Sequence, residues 1–383
     1  FNHRKEFDIV RSSTNKNPQL DLSIHTISED ISWEHPRKNN FSGIAGIVLM
    51  QQNNSYKGRY FIPNYFAYNF GGYYIGKWSK HKWELQAGFR FDNKNINTTR
   101  LKYNSDTINY DFNFSTLASS FNAVYKPTDN WRLNTNISLT SRGPFVNELL
   151  SDGIHHGTAT YEKGDITLKP ERSVNISAGI NYKHPSKYFS FDVLLYSNNI
   201  RDFIYQQPMP GNPVLTIAGA FPLIQYQQTN AILNGFDLTA SLKPVQAIDW
   251  VSKFSFLRAK NKLLNDWLIL MPANRLSNEI TYNLKDGKIF TNTYLSAEMM
   301  NVMQQKNVPG DANGKQDYKA PPLAYSLISL NASATIPVFK MPVTVSLNVR
   351  NLLNTVYRDY LNSMRYFTDE MGRNISVRLK IQL

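Results

Sequence analysis

The chain has 383 residues, of which 42% are hydrophobic, 13% aromatic and 19% charged, and its formal net charge is +13. That apolar content rules out a mainly disordered chain, and the lack of cysteine rules out disulfide scaffolds, thiolate metal sites and cysteine nucleophiles. The sequence has no run of about 18 apolar residues, which excludes transmembrane helices, although membrane-spanning strands would give only a weak alternating signal.

Alternation of apolar and polar residues predicts strands along the whole chain. In 373–383, isoleucine, valine and leucine alternate with polar residues to the last position, which is typical of a strand with one apolar face. Segments of this kind give about sixteen strands, many of about ten residues or more, whereas strands of soluble sheets usually have about five or six. The predicted spans are 1–12, 19–35, 41–51, 66–79, 82–95, 108–126, 130–141, 172–184, 187–206, 222–243, 247–261, 273–284, 288–303, 324–337, 341–351 and 373–383.

Short and long connections alternate between these strands. The short turns are 78–83, 126–130, 183–187 and 285–288, and the long loops are 52–65, 142–171, 207–221, 304–323 and 352–372. Aromatic residues cluster beside the short turns: Trp78, Trp83, Tyr125, Trp131, Tyr182, Tyr188 and Trp250. Short periplasmic turns, long extracellular loops and an aromatic girdle are typical of outer-membrane barrels. A soluble β-sandwich is the alternative, but it requires neither such long strands nor alternating loop lengths.

Several motifs resemble those of TonB-dependent outer-membrane receptors. Residues 141–150 (Ser-Arg-Gly-Pro-Phe-Val-Asn-Glu-Leu-Leu) and 168–171 (Leu-Lys-Pro-Glu) are similar to two segments that flank a long loop in that family. Residues 349–354 (Val-Arg-Asn-Leu-Leu-Asn), with Tyr357, resemble the segment before its last hairpin, whereas Gly143 stands where the family usually has alanine. The resemblance implies an all-β, antiparallel transmembrane β-barrel in the outer membrane of a Gram-negative cell. It also implies import of a scarce ligand: a ferric siderophore, haem or another metal complex.

Receptors of this family have a plug domain in front of a barrel of about 22 strands. We therefore expect residues 1–383 to form the C-terminal part of one barrel domain, without the plug and the first ~6 strands. An open sheet edge cannot face lipid, so strands 1–12 and 373–383 should pair with other polypeptide. If they pair with each other, a plug-free porin is the better interpretation. A barrel that serves as a structural partner in an envelope complex is a further alternative.

The expected partners follow from this interpretation. They are outer-membrane lipid and lipopolysaccharide, the TonB complex through a plug domain outside this chain, and envelope proteins. No basic block predicts nucleic-acid binding. Four basic residues fall on the polar, luminal face of their strands, where contact with a plug is the expected role: Arg132, Arg350, Arg378 and Lys380.

The long loop 142–171 contains the candidate ligand-binding residues His155, His156, Tyr161 and Glu162. The resemblance to haem receptors implies that a histidine in this interval can ligate haem iron, and imidazole also suits other borderline metals. Both histidines are therefore predicted metal ligands, with oxygen ligands from the other two residues and no intrinsic cofactor. If the loop is extended, the adjacent histidines point to opposite sides. The alternative is a packing role at the barrel mouth.

The remaining candidates are weaker. Met299, Met300 and Met303 could bind Cu(I) through their thioethers, but methionine more often fills apolar surface. Glu29 and Asp30 should point to opposite faces of a strand and be solvated, and Asp106 has no predicted partner. Neither a nucleophile elbow nor a phosphate loop nor a histidine–glutamate zinc motif is present, so we expect no enzymatic activity.

Overall fold

The computed structural model describes residues 2–8, 20–101, 107–217, 219–310, 321–339 and 341–381. Asp106 and the chain ends of the first and last predicted strands lie outside these residues. The described part contains a 19-stranded sheet. Its strands are β1 (Asn2–Asp8), β2 (Leu20–Lys38), β3 (Phe41–Gly58), β4 (Asn64–Lys80), β5 (Trp83–Leu101), β6 (Thr107–Tyr125), β7 (Trp131–Arg142), β8 (Asp152–His155), β9 (Thr160–Lys163), β10 (Glu171–Lys183), β11 (Phe189–Thr216), β12 (Gly219–Val245), β13 (Ile248–Asn261), β14 (Asp266–Trp267), β15 (Arg275–Asn283), β16 (Thr291–Val302), β17 (Tyr325–Val338), β18 (Met341–Arg350) and β19 (Asn374–Ile381).

Helices are minor in this fold. They are α1 (Val146–Leu150) and a 3-10 helix (Ser363–Tyr366). Among the described residues, neither helix is long and apolar enough to cross a bilayer.

The main sheet is an antiparallel meander. Each strand pairs with the next along the chain, except that β7 pairs directly with β10 and β13 with β15. The sixteen predicted strands are all present, and the three additional strands, β8, β9 and β14, lie in the connections. Within the described ranges no backbone pairing joins β1 to β19, and each of these strands pairs on one side only. The porin alternative is therefore not favoured.

Two predicted loops are wrong because the strands continue through them. The strands β3 and β4 leave only 59–63 as a connection, instead of the predicted 52–65. The strands β11 and β12 have 28 and 27 residues and stay paired through the predicted loop 207–221. Since about 9–11 residues suffice to cross a bilayer, the distal halves of β11 and β12 extend beyond the hydrocarbon. Proline and glutamine in 207–221 mark this extension and not the end of pairing.

One face of the sheet, here called the outer face, carries exposed apolar side chains. Phe89 is 55% exposed, Leu117 48% and Ile176 52%. At the short turns, aromatic rings pair along the same rim, with ring centroids 4.4 Å apart for Trp83 and Tyr125. An exposed apolar belt with an aromatic rim is the surface that hydrocarbon requires. The opposite, inner face carries the predicted basic residues: Arg378 lies opposite Ser346, and Lys380 opposite Thr344.

The polarity of the two faces reverses near the long-loop end of β5 and β6. On the outer face, phenylalanine gives way to Asn93, Asn95 and Asn113, whose side chains hydrogen-bond to one another at 2.7–2.9 Å. On the inner face at this level, Ile96 is fully buried and Phe114 is nearly so. The strands therefore pass from a region with a dry outside into one with a wet outside and an apolar interior.

The apolar core lies inside this end of the sheet. Residues 143–170, which we call the mouth segment, fold inward and pack against the inner face of the sheet instead of extending outward. Leu149 and Leu150 are buried against Ile96, Phe114 and neighbouring side chains. Gly143 fits this packing closely, since a Cβ at this position would lie 3.1 Å from the Cβ of Phe114. An alanine at this position would require the Phe114 side chain to shift by a few tenths of an ångström.

Candidate functional site at the mouth

Arg142, at the end of β7, joins the two family-like motifs. Its guanidinium lies 2.8 Å from Oε2 of Glu148 and 2.7 Å from Oε2 of Glu171. Glu171 Oε1 accepts a hydrogen bond from the backbone N–H of Ile204 at 2.6 Å, and Glu148 accepts one from Phe145 at 2.7 Å. We call these three charged residues the arginine clamp. The clamp fixes both ends of the mouth segment to the barrel wall.

Within the mouth segment, β8 and β9 form a hairpin that is fixed on two sides. Three residues of β9, starting at Tyr161, pair in parallel with β12, starting at Leu223. On the other side, the backbone N–H of Asp152 donates to the carbonyl of Phe61 at 3.0 Å. A Cβ on Gly153 would lie 2.6 Å from a carbonyl oxygen of the 59–63 connection, so glycine permits this close approach. The hairpin therefore presents its side chains in a defined orientation.

His155 and Glu162 form the centre of the candidate site. His155 Nδ1 lies 2.7 Å from Oε1 of Glu162, whose side chain is almost completely buried. The hydroxyl of Tyr226 donates to Oε2 of the same carboxylate at 3.4 Å. Tyr226 belongs to the extension of β12 beyond the hydrocarbon, and burial raises its pKa to about 12. The phenol therefore stays protonated at neutral pH and remains a hydrogen-bond donor.

The other two predicted ligand residues point elsewhere. His156 Nε2 lies 2.9 Å from a guanidinium nitrogen of Arg59, and the Tyr161 hydroxyl donates to Asp152 at 2.7 Å. The adjacent histidines diverge, as an extended backbone requires. The described residues contain no group of three or more potential metal-ligating side chains. A metal at this position would take one imidazole from this chain, not two.

A cavity of about 290 Å³, here called the mouth cavity, lies beside Glu162. Its walls come from the hairpin, the extensions of β11 and β12, the segment after β14 and the 3-10 helix. The lining residues are Thr158, Ala159, Thr160, Glu162, Gln206, Pro208, Pro222, Ile224, Ile269, Leu270, Ser363, Arg365, Tyr366 and Phe367. Of these, only Glu162 was predicted, because Thr158, Ala159 and Thr160 carry no ligand signal and the remaining residues are distant in sequence. A detectable signal was the Met-Arg-Tyr-Phe run at 364–367, in the last long loop.

That last loop, residues 351–373, is cross-braced by its own side chains. Arg358 pairs with Asp369 at 2.6 Å, and the Asn362 amide donates to Glu370 at 2.6 Å. Asp359 accepts from Arg275 at 3.0 Å, which ties the loop to β15. Burial raises the pKa of Tyr360. These contacts hold the 3-10 helix against the cavity.

The weaker candidates do not assemble into sites. Met299 lies opposite Asn278 and Met300 opposite Ser277, so these neighbours occupy different faces of the sheet. Asp30 accepts a hydrogen bond from Tyr73 at 3.0 Å. Glu29 lies on the outer face, opposite Leu49 in the neighbouring strand. The two carboxylates diverge, and the strand register places the exposed Glu29 at the level of Asn93, where the outer face becomes polar.

Comparisons with known proteins agree with this architecture. A family model described as "TonB dependent receptor-like, beta-barrel" matches residues 6–352. The chain is 23% identical over 392 residues to the TonB-dependent heme receptor A of Haemophilus ducreyi, covering 94% of this chain and 51% of that protein. It is 26% identical over 179 residues to the ferric enterobactin receptor of Pseudomonas aeruginosa, covering 45% and 22%.

Solved structures show the same fold. The copper transporter OprC superposes with a TM-score of 0.77 at 16% identity, covering 96% of this chain and 58% of that one. The FrpB iron transporter from Neisseria meningitidis gives 0.67 at 14% identity, covering 95% and 55%. The chain spans about half the length of these two structures and of the heme receptor.

Proposed function

Since this chain belongs to the TonB-dependent receptor-like β-barrel family, we propose that it captures and admits an iron complex, haem or a ferric siderophore, at the cell surface. Proteins of this family are outer-membrane barrels of Gram-negative bacteria, and that membrane is the location of this chain. The observation that supports the proposal is the buried carboxylate of Glu162, which bonds to the His155 imidazole and the Tyr226 phenol and also lines a cavity with mostly apolar walls. A passive channel would need no such constriction.

We further propose that residues 1–383 are part of one barrel domain, which polypeptide outside the described residues completes and fills. Glu279 and Glu298 lie directly opposite each other on the inner face, where like charges destabilise a sheet. A cationic group of a plug between them would remove that repulsion. Such a plug would connect the barrel to the TonB complex, which uses the proton gradient to open a path for the ligand.

Haem is the ligand class we place first. Glu162 is positioned to accept the Nδ1–H of His155, and such a hydrogen bond orients an imidazole and raises the basicity of its other nitrogen. One imidazole suffices as an axial ligand of haem iron. The relative with 23% identity is named a heme receptor. A ferric siderophore is the second class, supported by the similarity to the enterobactin receptor.

Uptake in whole cells tests the importer function. Iron-starved bacteria that carry the full-length protein as their sole receptor should grow on haem or a ferric catecholate. A protonophore or loss of TonB should abolish uptake of the labelled iron, because the energy comes from the inner membrane. Uptake that persists without the proton gradient and declines smoothly with solute size would instead indicate a passive channel.

Haem titration of the purified full-length protein tests the histidine. We expect His155→Ala to weaken haem binding at least about tenfold, and Glu162→Gln to weaken it roughly 10–100-fold, because the imidazole loses its orienting partner. The Soret band should shift in both variants. His81→Ala, in the turn between β4 and β5, serves as the control. Affinity and spectrum unchanged in the His155 and Glu162 variants would remove this site from the proposal.

A further inference from the structure

Arg365 is a buried cation in the wall of the mouth cavity. It belongs to the 3-10 helix, is only 6% exposed, and lines the cavity on a different element from Glu162. Its guanidinium donates to the carbonyl of Asn362 at 3.2 Å and to the hydroxyl of Tyr366 at 2.6 Å. An arginine has further N–H donors, and none of them bonds to another described residue.

No carboxylate of the described chain neutralises Arg365. The acidic residues of its own loop are engaged elsewhere: Asp359 with Arg275, Asp369 with Arg358, and Glu370 with Asn362. Two aromatic rings compensate in part, since the guanidinium carbon lies 5.0 Å from the Tyr360 ring centroid and 4.4 Å from that of Tyr366. Burying a cation without a counter-ion is costly, so the site is incomplete without an anion.

The lining of the rest of the cavity indicates what kind of ligand carries that anionic group. Most of the wall is apolar, from Pro208, Ile224, Leu270 and Phe367, with a few hydroxyl and amide groups. Such walls suit a flat or aromatic body, and a few polar groups fix its orientation. A planar guanidinium with free N–H groups matches the two oxygens of a carboxylate.

We propose that Arg365 is the docking point for a carboxylate group of the ligand that enters the mouth cavity. The inference rests on the proposed function only in assuming that this cavity receives the ligand. It narrows the ligand to acid-bearing iron complexes. Two sources share this chemistry: the propionates of a porphyrin, and the carboxylates of an organic-acid chelator.

Comparison of an acid with its ester tests the inference on the purified full-length protein in detergent. The probes are ferric protoporphyrin IX, its dimethyl ester, and ferric citrate as a competitor. The wild-type protein should prefer the free acid by roughly 10–100-fold, the range expected for a charge-assisted hydrogen-bonded contact. Arg365→Gln should abolish that preference and leave ester binding unchanged, whereas Arg365→Lys should retain part of it.

Controls separate recognition from folding. Arg37→Gln, at the short-turn end of β2, should behave like the wild type, and every variant should keep the heat-modifiable gel mobility of a folded barrel. Because esterification alters only the ligand, the wild-type comparison stands even if Arg365→Gln fails to fold. Competition by ferric citrate that depends on Arg365 would identify a chelator as the carboxylate source, and preference among porphyrins would identify propionates.

Two results would overturn the inference: equal binding of acid and ester by the wild type without citrate competition, or an equal loss of acid and ester binding in Arg365→Gln. The measurement requires no energy coupling. A retained acid preference without proton-gradient-dependent uptake would therefore disprove the importer function and leave the carboxylate site intact. Uptake without acid preference would do the reverse.

Discussion

Arg142→Met is expected to lower the free energy of unfolding by roughly 3 kcal/mol, because it leaves the buried Glu148 and the half-buried Glu171 without their cation. Breaking a buried ion pair costs about 3–5 kcal/mol. The lower end applies here, because the Arg142 side chain is 35% exposed, whereas those of Glu148 and Glu171 are 10% and 13% exposed. Limited proteolysis should cut the mouth segment, and urea titration of the protein in detergent should give the change in free energy.

The double variant Arg142→Met, Glu148→Gln should recover part of this loss, because one uncompensated charge has been removed. Arg350→Met is the matched control, since Arg350 is exposed and makes no ion pair with the residues described here. The arginine clamp would lose its assigned role if Arg142→Met and Arg350→Met proved equally stable and equally resistant to protease.

Ile176→Arg should destabilise the barrel in lipid vesicles by about 2–4 kcal/mol, the cost of a cation on the lipid face near the bilayer midplane. Ile176 lies on the outer face of β10, midway between Tyr182 at the short turn and Arg172 at the other rim. Unfolding the protein with guanidinium, with tryptophan fluorescence as the readout, measures the change in the free energy of unfolding.

The neighbouring residue provides the control for this prediction. Ser177 pairs with Asn136 on the inner face. Ser177→Arg should therefore change the free energy of unfolding by only a few tenths of the change expected for Ile176→Arg. Equal costs for Ile176→Arg and Ser177→Arg would mean that the two faces of the sheet do not differ in environment, and the orientation of the barrel would have to be reconsidered.

The sixteen main strands were predictable because each membrane-crossing strand has one face toward lipid and one toward the interior. Apolar and polar residues therefore alternate along its sequence. Strand ends were harder to predict. In β5 and β6 the apolar residues change face above the membrane, from Phe91 and Leu117 on the outside to Ile96 and Phe114 on the inside. A break in the phase of the alternation therefore marks the membrane boundary, not the end of a strand.

In the candidate site, only local geometry was predictable. The divergence of His155 and His156 follows from their adjacency in an extended segment. The contact between His155 and Glu162 depends on the turn that joins β8 to β9. Tyr226 contacts Glu162, and Arg365 lines the same cavity as Glu162, although they lie about 60 and 200 residues further along the chain. No local sequence pattern encodes such long-range proximity.

By itself, the sequence determined the fold class, the number of main strands, the family and the segment that carries the candidate histidines. These follow from local alternation and short motifs, because a strand needs only its own residues to define its faces. Only the tertiary structure decided that the mouth segment folds inward, that Arg142 fixes it there, and that an unneutralised arginine meets a buried glutamate around one cavity. Those features arise from burial and charge pairing between distant segments, which become neighbours only when the sheet curls around them.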